Sequence, residues 1–183
     1  MNALRTWQIR FCPPDHLLRE VFEICRDFGE ARHRLETVPI ARPVIFTLIG
    51  CKRGERCVIE RTEEGFATRD EDTSAANDWM HSAPGWEARV CATRLLTVSP
   101  AEAAANSNER REALSSWPQS FKHADFAWVT PPVLNPYTRI AVEMCAASGA
   151  LRTVGYELEH DSPLPQPVTH VCELAASVAN VPA

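Results

Sequence analysis

The chain has 183 residues, of which 45% are hydrophobic and 23% are charged, and its formal net charge is −5. This composition can form one sizeable core, and the acidic balance argues against a protein that binds the nucleic-acid backbone through a basic face. No apolar stretch is long enough to span a bilayer, and the first residues lack the apolar region of a signal peptide. We therefore expect a cytoplasmic protein with no nucleic-acid partner and no membrane span.

The cysteines and histidines do not have the spacing of a metal site. The seven cysteines are an odd number without any Cys-x-x-Cys pair, and the six histidines are scattered singly. We expect free buried thiols rather than disulfides, and neither a metal nor a cofactor.

Two helices and a strand are predicted in the first fifty residues. Asp15 is expected to cap a helix whose apolar residues recur at three- and four-residue spacing. Asp27 and Glu30 have the form of a capping box that begins a second helix, which Pro39 ends. The nearly apolar run 43–49 predicts a strand that is buried on both faces.

A hairpin follows this strand. The turn 52–55 leads into the run 57–62, the polar turn 63–65 and the run 66–69, in which β-branched and charged residues alternate around Gly65. Small residues then lead to Asn77. The predicted strands form an antiparallel meander.

The second half of the chain combines a helix, a hairpin and loops. The region 80–98 is irregular, and it is either part of a substrate wall or a plain surface loop. Ser99 and Glu102 predict a capped helix that runs, with a possible break, toward Trp117 and stops at Pro118.

The remaining elements are predicted from β-rich runs and prolines. Residues 125–129 predict a short strand or extended segment, and Pro131-Pro132 predicts an extended backbone. The runs 138–144 and 151–157 predict a hairpin around Ser148-Gly149. Beyond residue 159 we expect a proline-rich tail with a short helix near residues 171–178. This divides the chain into an irregular lead (1–14), one domain (15–159) and a tail (160–183).

The hairpin, the segment Thr73–Trp79 that follows it and the later stretch Pro131–Thr138 resemble a known family. Over roughly residues 17–157, their order is similar to the C-terminal part of N-terminal-nucleophile (Ntn) hydrolases of the acid ceramidase, N-acylethanolamine acid amidase and 6-aminopenicillanate acyltransferase type. The resemblance implies an α+β fold that is part of an αββα sandwich, with a mostly antiparallel sheet and a helix pair on one face. It also implies cleavage or transfer of an acyl group at a linear amide bond by an N-terminal cysteine, whose own α-amine is the base.

Asn77 and Arg110 are the candidate catalytic residues. The carboxamide of Asn77 could donate to the oxyanion that forms when a nucleophile attacks an amide carbonyl, and the alternative is that Asn77 only satisfies a turn. The resemblance places an active-site arginine near Arg110, which could orient the substrate by paired hydrogen bonds. Arg111 could take this role instead, or both arginines could belong to a solvated helix face.

The nucleophile that the resemblance implies is not evident in this chain. Cys12 is followed by Pro13 and Pro14, which cannot donate hydrogen bonds to a strand ladder, so we do not expect Cys12 to be the nucleophile. The chain could be the C-terminal portion of an amide hydrolase or acyltransferase, which acts on a small acyl-amide substrate when an N-terminal segment completes it. It could also be a truncated, inactive relative that binds a partner chain or forms a homo-oligomer, or an unrelated α+β domain.

Overall fold

The computed structural model describes residues 11–81, 99–117 and 125–174. The chain divides into two compact units, Met1–Arg111 and Glu112–Ala183. The described helices and strands confirm the predicted α+β class. They are α1 (Pro14–Ile24), α2 (Phe28–Thr37), β1 (Val44–Ile49), β2 (Arg56–Arg61), β3 (Phe66–Arg69), α3 (Pro100–Ser116), β4 (Ile140–Cys145), β5 (Ala150–Glu157), β6 (Gln166–Pro167) and β7 (Cys172–Leu174). Each helix within the described ranges is too short or too polar to cross a membrane.

The helix starts follow local capping chemistry. The prediction that Asp15 caps α1 is wrong, because the helix begins at Pro14, and Asp15 lies in its first turn. Proline suits this position since its missing N–H would have no partner in the first helical turn. The capping box of α2 is confirmed, because Asp27 Oδ1 accepts a hydrogen bond from the Glu30 N–H at 2.9 Å. The Glu30 carboxylate in turn accepts from the Arg26 N–H at 3.0 Å.

Helix α3 begins at a second capping box. The Glu102 N–H donates to Ser99 Oγ at 3.3 Å, and the Ser99 N–H donates to Glu102 Oε2 at 2.8 Å. This confirms the predicted cap. The helix then continues to Ser116 without the break that the sequence allowed.

The first sheet is the predicted meander, with the antiparallel order β1-β2-β3. Gly54, at φ 87°, allows the tight turn between β1 and β2. This sheet shares a hydrophobic core with α1 and α2. The residues of this core are Leu17, Val21, Ala31, Leu35, Ile40, Phe46, Leu48, Cys57 and Ile59.

Strand β1 is not buried on both faces, so that prediction is wrong. Phe46 and Leu48 point to the helices and are buried, whereas Thr47 is exposed and Ile49 is 57% exposed on the opposite face. The cause is that the helices cover only one side of this strand. Strand β2, which has a partner strand on each side, is the one that is buried throughout residues 57–61.

The second sheet is centred on β5. The hairpin of β4 and β5 is confirmed, and Gly149, at φ 65°, lies in its turn. Strands β6 and β7 both pair with β5 as well. The core of this unit consists of Phe126, Val129, Ala141, Val154 and Tyr156.

Three predictions for the second unit are wrong. Residues 125–128 form turns rather than a strand, and the Val129 N–H donates to Phe126 O at 2.9 Å. Residues 131–133 also lie in a turn, which the bond from the Leu134 N–H to Thr130 O closes at 2.9 Å. Residues 172–174 form β7 rather than a helix, because a free edge of β5 offers a partner ladder. The predictions for the lead up to residue 10, for most of the irregular region 80–98, for Pro118 and for residues 175–178 of the tail helix lie outside the described residues.

Candidate functional site

Asn77 lies where the sequence predicted, in the segment that follows β3. We call residues 70–81 the Asn77 segment. Asn77 itself is exposed, whereas the residues on either side of it, Ala76 and Asp78, are half-buried. The carboxamide is therefore on a residue that solvent or a ligand can reach, in a segment whose neighbouring residues are partly covered.

The carboxylate of Glu60 in β2 fixes the end of the Asn77 segment. Its Oε1 accepts a hydrogen bond from the Met80 N–H at 2.9 Å, and its Oε2 accepts from the His81 N–H at 3.0 Å. The His81 ring nitrogen Nδ1 lies 3.1 Å from Oε2. Because a carboxylate can only accept, Nδ1 carries the proton in this contact. A buried strand residue thus holds two consecutive backbone amides of the segment.

Arg69, the last residue of β3, fixes the beginning of the segment. Its guanidinium donates to the backbone oxygens of Asp72 and Ser74, the latter at 3.0 Å. It also lies 3.5 Å from Glu60 Oε1, and the side chain of Glu60 is fully buried in this ion pair. Asn77 is therefore located between two anchored stretches, Asp72–Ser74 and Met80–His81.

The surroundings of Glu60 favour its charged form. Burial would raise the pKa of this carboxyl, but the hydrogen bonds from the Met80 and His81 backbone and from the His81 ring, together with the charge of Arg69, bring its pKa below the ordinary value. A carboxylate in this position stays ionised at neutral pH, and each of its oxygens can then accept.

The strand register explains why Glu60 and Arg69 meet. Val58 pairs with Arg69 and Glu60 pairs with Ala67, so the two charged side chains share the face opposite the helices. The sequence interpretation missed both residues, because alternating β-branched and charged residues predict a hairpin and nothing more. One signal in the sequence pointed to Glu60. The charged residues Glu60 and Arg61 directly follow three apolar residues in a predicted central strand, where a charged side chain is expected to be buried and to need a partner.

Arg61 has a structural role on the helix-facing side of β2. It is fully buried, and it donates to the backbone oxygens of Leu35, Val38 and Gly65, the last two at 2.8 Å and 3.2 Å. Burial lowers the pKa of its guanidinium. Because the last carbonyl groups of a helix have no partner within the helix, Arg61 serves as a cap for the end of α2.

Arg110 lies on α3 and is half-buried. Its guanidinium bonds within its own helix, to Asn106 O and to Ser107 Oγ, both at 3.4 Å. Burial lowers the pKa of this group. Both acceptors are neutral, so the positive charge of Arg110 is not neutralised by these contacts. Its role in catalysis stays a prediction.

The site offers hydrogen-bond donors rather than metal ligands. Within the described ranges, no group of three or more histidine, cysteine, aspartate or glutamate side chains could hold a metal ion. The exposed carboxamide of Asn77 can donate without changing its protonation state, and its segment is held by buried charges. Such a group is suited to stabilise a developing negative charge on an oxygen atom.

The comparisons with known proteins do not assign the chain to a family. No protein-family model matches it, and no curated protein matches it either.

Proposed function

We propose that this chain is the C-terminal portion of a linear-amide hydrolase or acyltransferase of the Ntn superfamily. In this proposal Asn77 donates to the oxyanion, and the nucleophilic cysteine belongs to a separate N-terminal segment. The α+β fold would then be part of an αββα sandwich. The substrate is a small molecule with an acyl group in amide linkage.

The observation that supports this function best is an exposed carboxamide on a segment that is anchored on both sides. An oxyanion donor must be in place before the reaction, since the energy of organising it would otherwise add to the barrier. Arg69 holds Asp72 and Ser74, and Glu60 holds Met80 and His81. Asn77, which lies between them, is exposed, and its carboxamide has the chemistry of an oxyanion donor.

The experiment requires the missing nucleophile. A cysteine-led segment encoded beside this chain would be expressed and mixed with it, and hydrolysis of fluorogenic N-acyl amides would be measured. We expect Asn77→Ala to lower kcat by about 10²- to 10³-fold, because one oxyanion donor is lost. Asn77→Asp should have a similar effect, since it has the same shape but replaces the donor with an acceptor.

Gln166→Ala provides the matched control. Gln166 also carries an exposed carboxamide, but it lies in β6. We expect this variant to retain the full kcat and all variants to keep the same melting temperature. Undiminished turnover in Asn77→Ala would remove Asn77 from the reaction.

A binding or structural role is the second candidate, and two exposed apolar side chains of the first unit favour it. Ile49 in β1 is 57% exposed, and Met80 in the Asn77 segment is 42% exposed. Where exposed apolar side chains form a contiguous patch, the patch marks a surface for a partner. Self-association that Ile49→Lys abolishes, without amide hydrolysis in the mixing experiment, would favour this role.

A further inference from the structure

We propose that Glu60 is a positioning residue whose carboxylate holds the Asn77 segment in the conformation that presents the carboxamide. This inference rests on the proposed function, since it explains how the oxyanion donor is held. It adds a residue that the resemblance does not assign. The role requires both oxygens of the carboxylate and its negative charge.

The requirement for a carboxylate follows from the donors around Glu60. Oε1 receives the Met80 N–H, and Oε2 receives both the His81 N–H and the His81 ring. A glutamine at this position has one accepting oxygen, and its NH₂ group would face at least one of these N–H donors. The glutamine can therefore accept from Met80 or from His81, but not from both.

One charged group and one titratable ring face Glu60 from two directions. Arg69 approaches from β3 at 3.5 Å, and the His81 ring approaches from the Asn77 segment at 3.1 Å. The residue opposite Glu60 on β1 is the apolar Ile45. Asp72, which lies 3.9 Å from Arg69, is the acidic group on the other side of that arginine. Protonation of Glu60 would thus leave Arg69 with a weaker partner and free the His81 ring.

Glu60 differs from Arg61 in what its side chain holds. Arg61 bonds to the end of α2 and to the hairpin turn, so its loss should affect the fold of the helix-covered sheet. The hydrogen bonds of Glu60 go to the Asn77 segment. The loss of its charge should therefore loosen this segment more than the sheet.

The test uses the chain as it is and needs no substrate. Hydrogen exchange of the Met80 and His81 amides and ¹⁵N relaxation of the Asn77 side-chain amide would be measured in the wild type and in Glu60→Gln. We expect the two backbone amides to exchange about 10- to 100-fold faster in the variant, because hydrogen bonds to a charged acceptor are lost. The Asn77 carboxamide should become more mobile, while the amides of β1 keep their protection.

Glu143→Gln is the matched control, because Glu143 is a buried glutamate in the second unit. We expect it to leave the Met80, His81 and Asn77 signals unchanged. An unchanged Asn77 segment in Glu60→Gln would overturn the proposal, and so would an equal increase in both variants.

A second variant covers the case in which Glu60→Gln does not fold. His81→Ala removes only the ring contact of a residue whose side chain is 53% exposed. We expect it to fold and to speed exchange at Met80 and His81 by a few-fold. Exchange at the wild-type rate in this variant would count against the proposal.

Acid provides a further measurement on the wild type. Because the folded-state pKa of Glu60 lies below its ordinary value of 4.5, the anchoring should be present at neutral pH and should be lost as the pH falls below that value. The mobility of the Asn77 carboxamide should rise in this range and should not change in Glu60→Gln. A wild-type signal that is independent of pH would overturn the proposal.

The two proposals can fail separately. A loosened segment in Glu60→Gln, together with full turnover in reconstituted Asn77→Ala, would support the positioning and overturn the proposed function. An unchanged segment, together with lost turnover in Asn77→Ala, would overturn the positioning alone.

Discussion

Each of the two sheets contains a buried glutamate that pairs with an arginine. The first glutamate binds the backbone of a loop, and the second binds side chains. Glu60 in the first sheet accepts from the backbone N–H groups of Met80 and His81. Glu143 in the second sheet accepts from two side chains, the Trp128 indole at 2.9 Å and the Arg152 guanidinium at 3.0 Å. One carboxylate fixes the path of a loop, and the other connects side chains within its own unit.

The arginines differ in the same way. Arg69 donates to backbone oxygens of the Asn77 segment. Arg152 lies between three carboxylates, those of Asp125, Glu143 and Glu173, and 5.5 Å from the centre of the Phe126 ring. In the first sheet, the remaining hydrogen bonds of the glutamate–arginine pair go to the Asn77 segment and position it. In the second sheet, they go to side chains of the same unit and stabilise that unit.

The largest expected effect concerns the helix-covered core of the first unit. Leu17 is fully buried, so Leu17→Ala should lower the free energy of unfolding by about 2–5 kcal/mol, through lost burial and the cavity that remains. Phe22 on the same helix is 75% exposed, and Phe22→Ala should change this energy by less than about 0.5 kcal/mol. Chemical denaturation of both variants provides the measurement. Similar losses would show that the helices do not support the first sheet in the way described.

The core of the first unit was largely predictable, and the anchoring of the Asn77 segment was not. The spacing of Leu17, Val21 and Leu35 predicts which helix faces are buried, because helical periodicity is a local property. The contact of Glu60 with Met80 and His81 joins residues about twenty positions apart. It depends on the register of two strands and on the path of a loop, and neither is encoded in a local pattern.

The wrong predictions have a similar cause. β-rich and proline-containing runs such as 125–133 predict an extended backbone, but local backbone hydrogen bonds close turns there. Residues 172–174 pair with β5 since the strand offers a free edge, which no feature of their own sequence indicates. Asn77 was found through a resemblance of motifs, and its surroundings became apparent only from the fold.

Arg152 provides the next test, because it should matter for stability and not for the Asn77 segment. Arg152→Met keeps most of the apolar stem but removes the charged partner of the buried Glu143 carboxylate. We expect the free energy of unfolding to fall by clearly more than for an exposed pair, because a buried carboxylate loses a charged donor. Arg19→Met removes an exposed pair with Glu23, whose side chains are 80% and 57% exposed, and should cost no more than about 0.5 kcal/mol.

Denaturation combined with hydrogen exchange would separate the two roles in Arg152→Met. The amides of β4 and β5 should exchange faster, whereas those of Met80 and His81 should not. Faster exchange at Met80 and His81 would contradict the division between a stabilising pair and a positioning pair.

The last prediction concerns the alkylation rates of two cysteines, one from each sheet. Burial raises the pKa of Cys57 in the first sheet to about 11, whereas hydrogen bonds from Ser148 and from the turn backbone lower the pKa of the exposed Cys145 in the second. Since the thiolate is the reactive form, Cys145 should be alkylated by iodoacetamide at pH 7.5 while Cys57 stays unmodified in the folded protein. Mass spectrometry of timed samples gives both rates.

Ser148→Ala then tests the cause of the high reactivity of Cys145. Because the hydroxyl that stabilises the thiolate is removed, we expect the alkylation rate at Cys145 to fall by a few-fold, while the rate at the exposed Cys172 stays the same. An equal rate before and after the substitution would mean that the Ser148 hydroxyl does not contribute to the reactivity of Cys145. The Ser148 side chain would then not favour the charged form of Cys145, whereas the neighbours of Glu60 do favour the charged form of that carboxyl.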